Sequence, residues 1–192
     1  MTKILAIPAS FREHSYNKRV LNVAAEGARS AGAEVTVLDL RDYPLPIYDA
    51  DMQADGAFDE NAYRLQDIMR DHDAFLIASP EYNGTIPGGF KNMIDWTSRA
   101  NDRYGMYESV KGKTAALITA SPGQFGGLRC LSHLRAMFTI MGVTVLPNEI
   151  AVPAVFQKFD GDGTDMTDEK TKAQLEALGA ALAAAVATSP RA

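Results

Sequence analysis

Three almost wholly apolar runs, Ile4 to Ile7, Phe75 to Ala78 and Ala115 to Thr119, constrain this chain more than any other feature. Each leads into a loop rich in polar residues or glycine, and then into apolar residues at helical spacing. A run with no polar face has none to turn to water. It therefore predicts a strand covered on both sides, as in a parallel sheet between two layers of helices. Val20, Leu21, Ala24, Ala25 and Ala28 mark the first helix, which Gly32 closes. Ala62, Leu65, Met69 and His72 mark a second. Phe90, Met93, Ile94 and Thr97 lie on one side of a third, spanning Pro87 to Ala100. Leu128, Leu131, Leu134, Phe138 and Met141 precede a closing Gly142, and Leu175, Leu178, Leu182 and Val186 form the last. Glu34 to Leu40 alternates through Val35 and Val37 as a second strand, and Val143 to Val152 holds a fifth, interrupted by Pro147.

Five strands alternating with five helices predict an α/β fold of three layers. The right-handed crossover rule leaves few topologies. A five-stranded parallel sheet favours the flavodoxin-like order 2-1-3-4-5 over a six-stranded dinucleotide fold. Ligands of such sheets bind at the carboxyl ends of the strands. Here those ends carry the loops beginning at Ser10, Pro80 and Ser121, so one site built from three sequence-distant loops is expected.

Bulk properties remove other classes. The chain has 192 residues, 46% of them apolar, which suits one domain with a full core. A net charge of −5 argues against non-specific nucleic-acid binding. No run approaches the ~18 apolar residues of a membrane span; the alanine-rich Ala177 to Ala187 is shorter and contains Gly179. The apolar run near the N-terminus is too short for a signal peptide. Cys130 is the one cysteine, so an internal disulfide and a zinc site of paired cysteines are excluded, in keeping with the cytoplasm.

The first loop reads Ser10-Phe11-Arg12-Glu13-His14-Ser15-Tyr16-Asn17. Arg12 offers a forked cation, Ser10 and Ser15 hydroxyls, Asn17 an amide, and the helix start free N–H groups: the donors a phosphate needs. Ser15 is placed as an N-cap. A capped loop with a surface arginine is the plainer reading of the same residues. The loop has neither G-x-G-x-x-G nor G-x-x-x-x-G-K-[ST]. In the second loop, Pro80-Glu81-Tyr82-Asn83-Gly84, Asn83-Gly84 is a strong turn pair and Tyr82 an aromatic surface. Gly88 and Gly89 follow, permitting close backbone approach. The third loop contains Ser121, Gly123, Gly126 and Gly127. Its following helix would direct partial positive charge at whatever it faces. A ligand-free glycine turn explains either of these two loops taken singly.

Residues Pro80 to Trp96 together with Ser10, Arg12, Ser15 and Asn17 resemble the two signatures of the NADPH-dependent FMN reductase family, over roughly residues 3 to 155. Ala9 departs from it, standing where many relatives carry glycine. The resemblance implies a single flavodoxin-like FMN-binding domain over residues 1–192. It implies FMN held without a covalent bond, NADPH or NADH as co-substrate, and a small-molecule electron acceptor such as a free flavin, quinone, chromate or azo dye. Ser10, Arg12, Ser15 and Asn17 would hold the FMN phosphate, with Tyr16 also in the cofactor site. Pro80, Glu81, Tyr82, Asn83 and Gly84 would line the ribityl chain and ring, with Ser121 and Gly123 completing the site. Neither a catalytic side chain nor a metal is expected. No nucleic-acid or membrane partner is expected, and a homodimer or homotetramer is, with Trp96 at the subunit interface. Arg12, Arg99, Arg103 and Arg129 are the candidates for a 2′-phosphate. A non-enzymatic electron carrier or an FMN-binding regulatory module is the alternative; carriers favour threonine- and glycine-rich phosphate loops, unlike this one.

Other patterns are set aside. Asp160 to Asp165 has a calcium-loop composition but carries Asp165 where glycine is required and Thr171 where glutamate is. His14, His72 and His133 lack metal-ligand spacing. Cys130 reads as packing. Asp39, Asp42, Asp49, Asp51, Asp55 and Asp59 read as a solvated acidic loop, although Asp42 to Asp49 would wall the active site if it follows the family.

Overall fold

The computed structural model describes residues 1–54 and 58–188, so Asp55 of the acidic loop lies outside the described residues. Six parallel strands are present among them: β1 (Lys3–Pro8), β2 (Glu34–Val37), β3 (Ala74–Ser79), β4 (Thr114–Ala120), β5 (Thr144–Val145) and β6 (Ile150–Val152). The sheet order is β2-β1-β3-β4-β5, with β6 also paired to β4. This is the flavodoxin-like order expected.

The expected fifth strand is two pieces. β5 pairs with Thr114 and Ala115 at the start of β4, and β6 with Ile118 to Ala120 at its end. Pro147 between them has no N–H for the ladder. Arg135 fills the break, its guanidinium donating to the Val145 and Leu146 carbonyls at 3.2 and 2.6 Å and to Glu149 at 2.8 Å. A fixed five-donor fork suits an interruption that leaves several acceptors close together.

Helices α1 (Tyr16–Ser30) and α6 (Glu169–Ala187) cover one face of the sheet. α3 (Glu60–Arg70), α4 (Gly88–Thr97) and α5 (Leu128–Ile140) cover the other. A short helix, α2 (Ala50–Ala54), lies in the stretch expected to be loop and buries none of its side chains. Alternate residues of each central strand serve opposite cores. Ile4 and Ala6 face α1 and α6, while Leu5 and Ile7 face the other layer. The side chains of Asp39 and Asp59 in the acidic loop have definite partners. Asp39 pairs with Lys18 and Arg41, and Asp59 caps α3.

Trp96 corrects the sequence reading. It is fully buried within its own chain, not at a subunit interface. Its ring meets Tyr48 and Phe58 edge-on, with centroids 5.2 and 5.4 Å away, and its N–H donates to the Pro46 carbonyl at 2.8 Å. A buried indole needs that acceptor, and the bond anchors the Pro44 to Tyr48 segment against α4.

The α1–α6 contact depends on two glycines. A Cβ on Gly27 would lie 2.0 Å from the Glu176 carbonyl oxygen, and one on Gly179 would lie 1.8 Å from the Ala24 carbonyl oxygen. Helix propensity alone favours alanine over glycine by about 1 kcal/mol. Overpacking of this kind costs about 1–3 kcal/mol, and here the obstructing atoms are backbone. Gly179→Ala is therefore expected to destabilise the protein, read as a lower denaturant midpoint; a raised midpoint would show that the helices separate freely.

Candidate functional site

The strands β1, β3 and β4 are neighbours in register, with Ala78 opposite Pro8 and Ile118, so the three loops expected to carry function emerge side by side. They enclose a cavity of about 130 Å³ lined by Ser10, Arg12, Ser15, Tyr16, Asn17, Pro80, Glu81, Tyr82, Ala120, Ser121, Pro122 and Val155. Nine of the predicted site residues are in that lining. Asn83, Gly84 and Gly123 are not, and Val155, from the segment after β6, was not foreseen.

In the first loop Ser15 is the N-cap of α1, its hydroxyl accepting from the Asn17 N–H at 3.2 Å. Such a cap contributes about 1 kcal/mol. Ser10 and Ser15 are almost buried, while Arg12 is exposed with its guanidinium 2.9 Å from the His14 carbonyl. Asn17 differs from a simple phosphate donor. Its amide donates to the Ala120 carbonyl and its amide oxygen accepts from the Ala120 N–H, both at 2.9 Å. One amide hydrogen remains for a ligand. The side chain chiefly ties the first loop to the end of β4. Removing it would orphan two buried backbone groups, each costing about 1–3 kcal/mol.

The second loop turns on Asn83 and Gly84, whose φ values of 52° and 77° both lie in the left-handed region. Tyr82 and Thr85 exchange backbone hydrogen bonds of 3.0 and 3.1 Å around them. That is a two-residue turn with positive φ at both positions, and Asn-Gly is its preferred pair. Among the described residues neither the Asn83 nor the Gly84 N–H has an acceptor. His133 on α5 meets the Thr85 hydroxyl at 2.7 Å.

Glu81 does something the sequence did not reveal. α5 has no side-chain cap of its own and no acid in its first turn. The Glu81 carboxylate supplies both, accepting from the N–H groups of Arg129 at 3.0 Å and Cys130 at 3.3 Å, and from the Arg129 guanidinium at 2.9 Å. The Glu81 side chain is 12% exposed and Arg129 63%. Bonds from backbone N–H groups to a charge contribute about 1.5–3 kcal/mol, whereas an ion pair with so exposed an arginine contributes at most about 1 kcal/mol. The N–H bonds therefore dominate. The positive end of α5, expected to face a ligand, is answered by this carboxylate.

The third loop also departs from expectation. Gly126 and Gly127, with φ of 61° and 90°, bring the chain against protein, not against open space. A Cβ on Gly126 would lie 2.7 Å from backbone atoms of Val152 and Pro153, and one on Gly127 would lie 2.9 Å from the Thr119 side chain. The Thr119 hydroxyl is buried without a partner among the described residues. Cys130 packs against the end of β3, its sulfur 3.4 Å from the Ser79 hydroxyl and 3.5 Å from the Pro80 carbonyl.

A larger cleft of about 710 Å³ adjoins the first loop. Phe11, Tyr43, Pro44, Leu45, Ile47 and Tyr48 face Gly88, Gly89 and Asn92 across it. The Phe11 ring occupies the place a Gly89 Cβ would take, its nearest carbon 2.5 Å from that position. Asn92 holds the wall, accepting from the Tyr48 N–H at 2.8 Å and donating to Pro46 at 2.9 Å. The cleft is mostly apolar. The smaller cavity, with its serines, Arg12 and helix start, has the donor set for a phosphate monoester, and that group fits there. Arg99 lies over Tyr48 and Arg103 over Tyr63, beyond the C-terminal end of α4. Of the four arginines considered for a 2′-phosphate, Arg12 and Arg129 stand beside the cavity.

Residues 2–157 match the model of a family described as NADPH-dependent FMN reductase. The chain is 35% identical over 187 residues to NAD(P)H:quinone oxidoreductase of Solanum tuberosum, covering 95% of this chain and 91% of that one. It is 31% identical over 185 residues to the quinone reductase of Escherichia coli strain K12, covering 92% and 93%. The solved structure of FerB, a flavoenzyme NAD(P)H:(acceptor) oxidoreductase from Paracoccus denitrificans, superposes with a TM-score of 0.79 at 32% identity, over 97% of this chain and 98% of that one.

Burial pushes the Cys130 thiol up to about 11. The raised value means that the folded protein holds this proton after the unfolded chain has lost it. Cys130 then contributes stability that is complete below the unfolded thiol's range near 9 and is lost as pH rises toward 11. Stability is expected to fall across that window in the parent and to fall less in Cys130→Ala, measured by urea midpoints. A native thiol that reacts rapidly with a disulfide reagent at pH 8 would contradict the assignment.

Proposed function

The chain belongs to the NADPH-dependent FMN reductase family, and from that premise we propose that it binds FMN without a covalent bond, takes hydride equivalents from NAD(P)H and delivers them to a small-molecule acceptor, a quinone first among these. The observation that carries the reading is the convergence of Ser10, Arg12 and Ser15 with Glu81, Tyr82 and Ser121 around one cavity at the carboxyl edge of the sheet.

The protein's part is binding and orientation. Ser10, Ser15, Arg12 and the first turn of α1 would hold the phosphate. Asn17 keeps that loop against β4. Pro80 to Gly84 would receive the ring system, with the unpaired N–H groups of Asn83 and Gly84 as donors to it. When bound, FMN supplies the two-electron chemistry. Hydride transfer itself requires no side-chain acid or base. The apolar cleft beside Phe11 suits a planar acceptor, and the quinone reductases among the relatives support that choice. No helix among the described residues is long and apolar enough to cross a membrane; a cytoplasmic location is part of this proposal.

Purified protein is expected to be yellow and to oxidise NADPH with a benzoquinone faster than free FMN does. Arg12→Ala should weaken FMN binding about 10- to 100-fold, the loss of one charge-assisted hydrogen bond, measured by fluorescence titration. Unchanged affinity would remove Arg12 from the phosphate site. A colourless parent that takes up no FMN would end the reading.

A homodimer or homotetramer is the proposed assembly. Ile47 is 85% exposed and Phe11 45% exposed on the apolar cleft, an apolar edge that a second chain would cover. Light scattering is expected to give a mass of two or four chains; a monomer at micromolar concentration would refute it.

A further inference from the structure

The charge at the positive end of α5 comes from a residue of another loop. Glu81 lines the cavity, yet its carboxylate is turned onto the N–H groups of Arg129 and Cys130 and onto the Arg129 guanidinium. We propose that Glu81, seated between the flavin cavity and the first turn of α5, is a positioning residue that locks the Pro80–Gly84 loop to that helix and, by neutralising the helix end and Arg129, keeps the bound flavin at a lower reduction potential. The proposal rests on the FMN reading above.

Two features make this a lock and not a chance surface pair. The carboxylate is mostly buried, whereas Arg129 is largely in solvent. The chain beneath it is tightly packed as well. A Cβ on Gly127, immediately before α5, would lie 2.9 Å from the Thr119 side chain and in ordinary contact with the Glu81 Cβ at 3.6 Å. One helical turn on from Arg129, His133 meets Thr85 at the other end of the same loop. A loop joined to one helix at both ends cannot shift without disturbing that helix's first turns.

The sign of the electrostatic effect follows from charge. Two-electron reduction adds negative charge to the flavin, which nearby positive potential favours. Glu81 cancels two sources of such potential, the helix end and Arg129. Without its charge both act on the cavity, and the reduced form gains. Removing the Arg129 charge instead leaves the carboxylate in excess, and the reduced form loses.

The test uses the parent, Glu81→Gln, Glu81→Ala and Arg129→Gln. Reduction of the FMN-loaded proteins is followed against a reference dye, and backbone hydrogen exchange is measured on the flavin-free proteins. Glu81→Gln is expected to favour the reduced form about tenfold, a rise of about 30 mV for a two-electron couple. Arg129→Gln should shift it in the opposite direction. Exchange at the Arg129 amide should accelerate at least tenfold in Glu81→Ala and little in Arg129→Gln, while the Cys130 amide, which also donates to the Gly127 carbonyl at 3.0 Å, should change less. Shifts of potential in the same direction for both glutamine variants would be the mark of general loosening and would overturn the charge-setting role. Parent-like exchange in Glu81→Ala would overturn the lock. A parent that binds no FMN would defeat the underlying reading and the charge-setting role with it, while the exchange measurement, which needs no flavin, would still decide the lock.

Discussion

Three neighbouring strand ends have to be held together at one edge of a sheet, and two polar clamps hold them. Asn17 bonds both backbone groups of Ala120, joining the loop after β1 to the end of β4. Glu81 bonds the first turn of α5, joining the loop after β3 to the helix that follows β4. Buried amides and carboxylates are costly unless paired. Each clamp is therefore satisfied only when its loop is in place. The cavity is the space those satisfied groups leave between them.

The polar cavity and the apolar cleft divide the proposed work. The cavity has hydroxyls, a cation and a helix start, which suit an anion. The cleft has Phe11 and the Tyr43–Tyr48 wall, which suit a flat apolar surface. Phe11 and Arg12 are adjacent in sequence and serve different spaces. Phe11 reaches the cleft because Gly89 has no side chain to obstruct it. Trp96 lines neither space, and Asn92 lines the cleft. Both bond Pro46 from within α4 and so keep the wall of the cleft from drifting.

Much of this was legible in the residues. Unbroken apolar runs can be satisfied only between two layers, so the sheet and its order followed. Ser15 as a cap and Asn83-Gly84 as a tight turn depend on local geometry alone, and both appear as read. Long-range partners were not legible. Nothing around Glu81 in sequence marks it as the cap of α5, whose Arg129 N–H lies 48 positions further along the chain. Gly126 and Gly127 marked a close approach, and what approaches is the backbone of Val152 and Pro153 and the side chain of Thr119. A missing Cβ signals close approach without saying by what. Trp96 was placed at a subunit interface by the family resemblance; its acceptor, Pro46, lies in a segment with no periodic pattern to reveal the burial.

By itself the sequence determined the strand and helix alternation, the edge at which the three polar loops emerge and the local chemistry of each loop, because these depend on hydropathy period and on φ preferences within a few residues. Only the tertiary structure decided which of those polar groups remain free for a ligand. Asn17 and Glu81 carry suitable atoms, but the backbone of β4 and the end of α5 claim them first. A buried donor or acceptor bonds whatever the fold brings within 3 Å or so, and that neighbour is set by packing across the sheet.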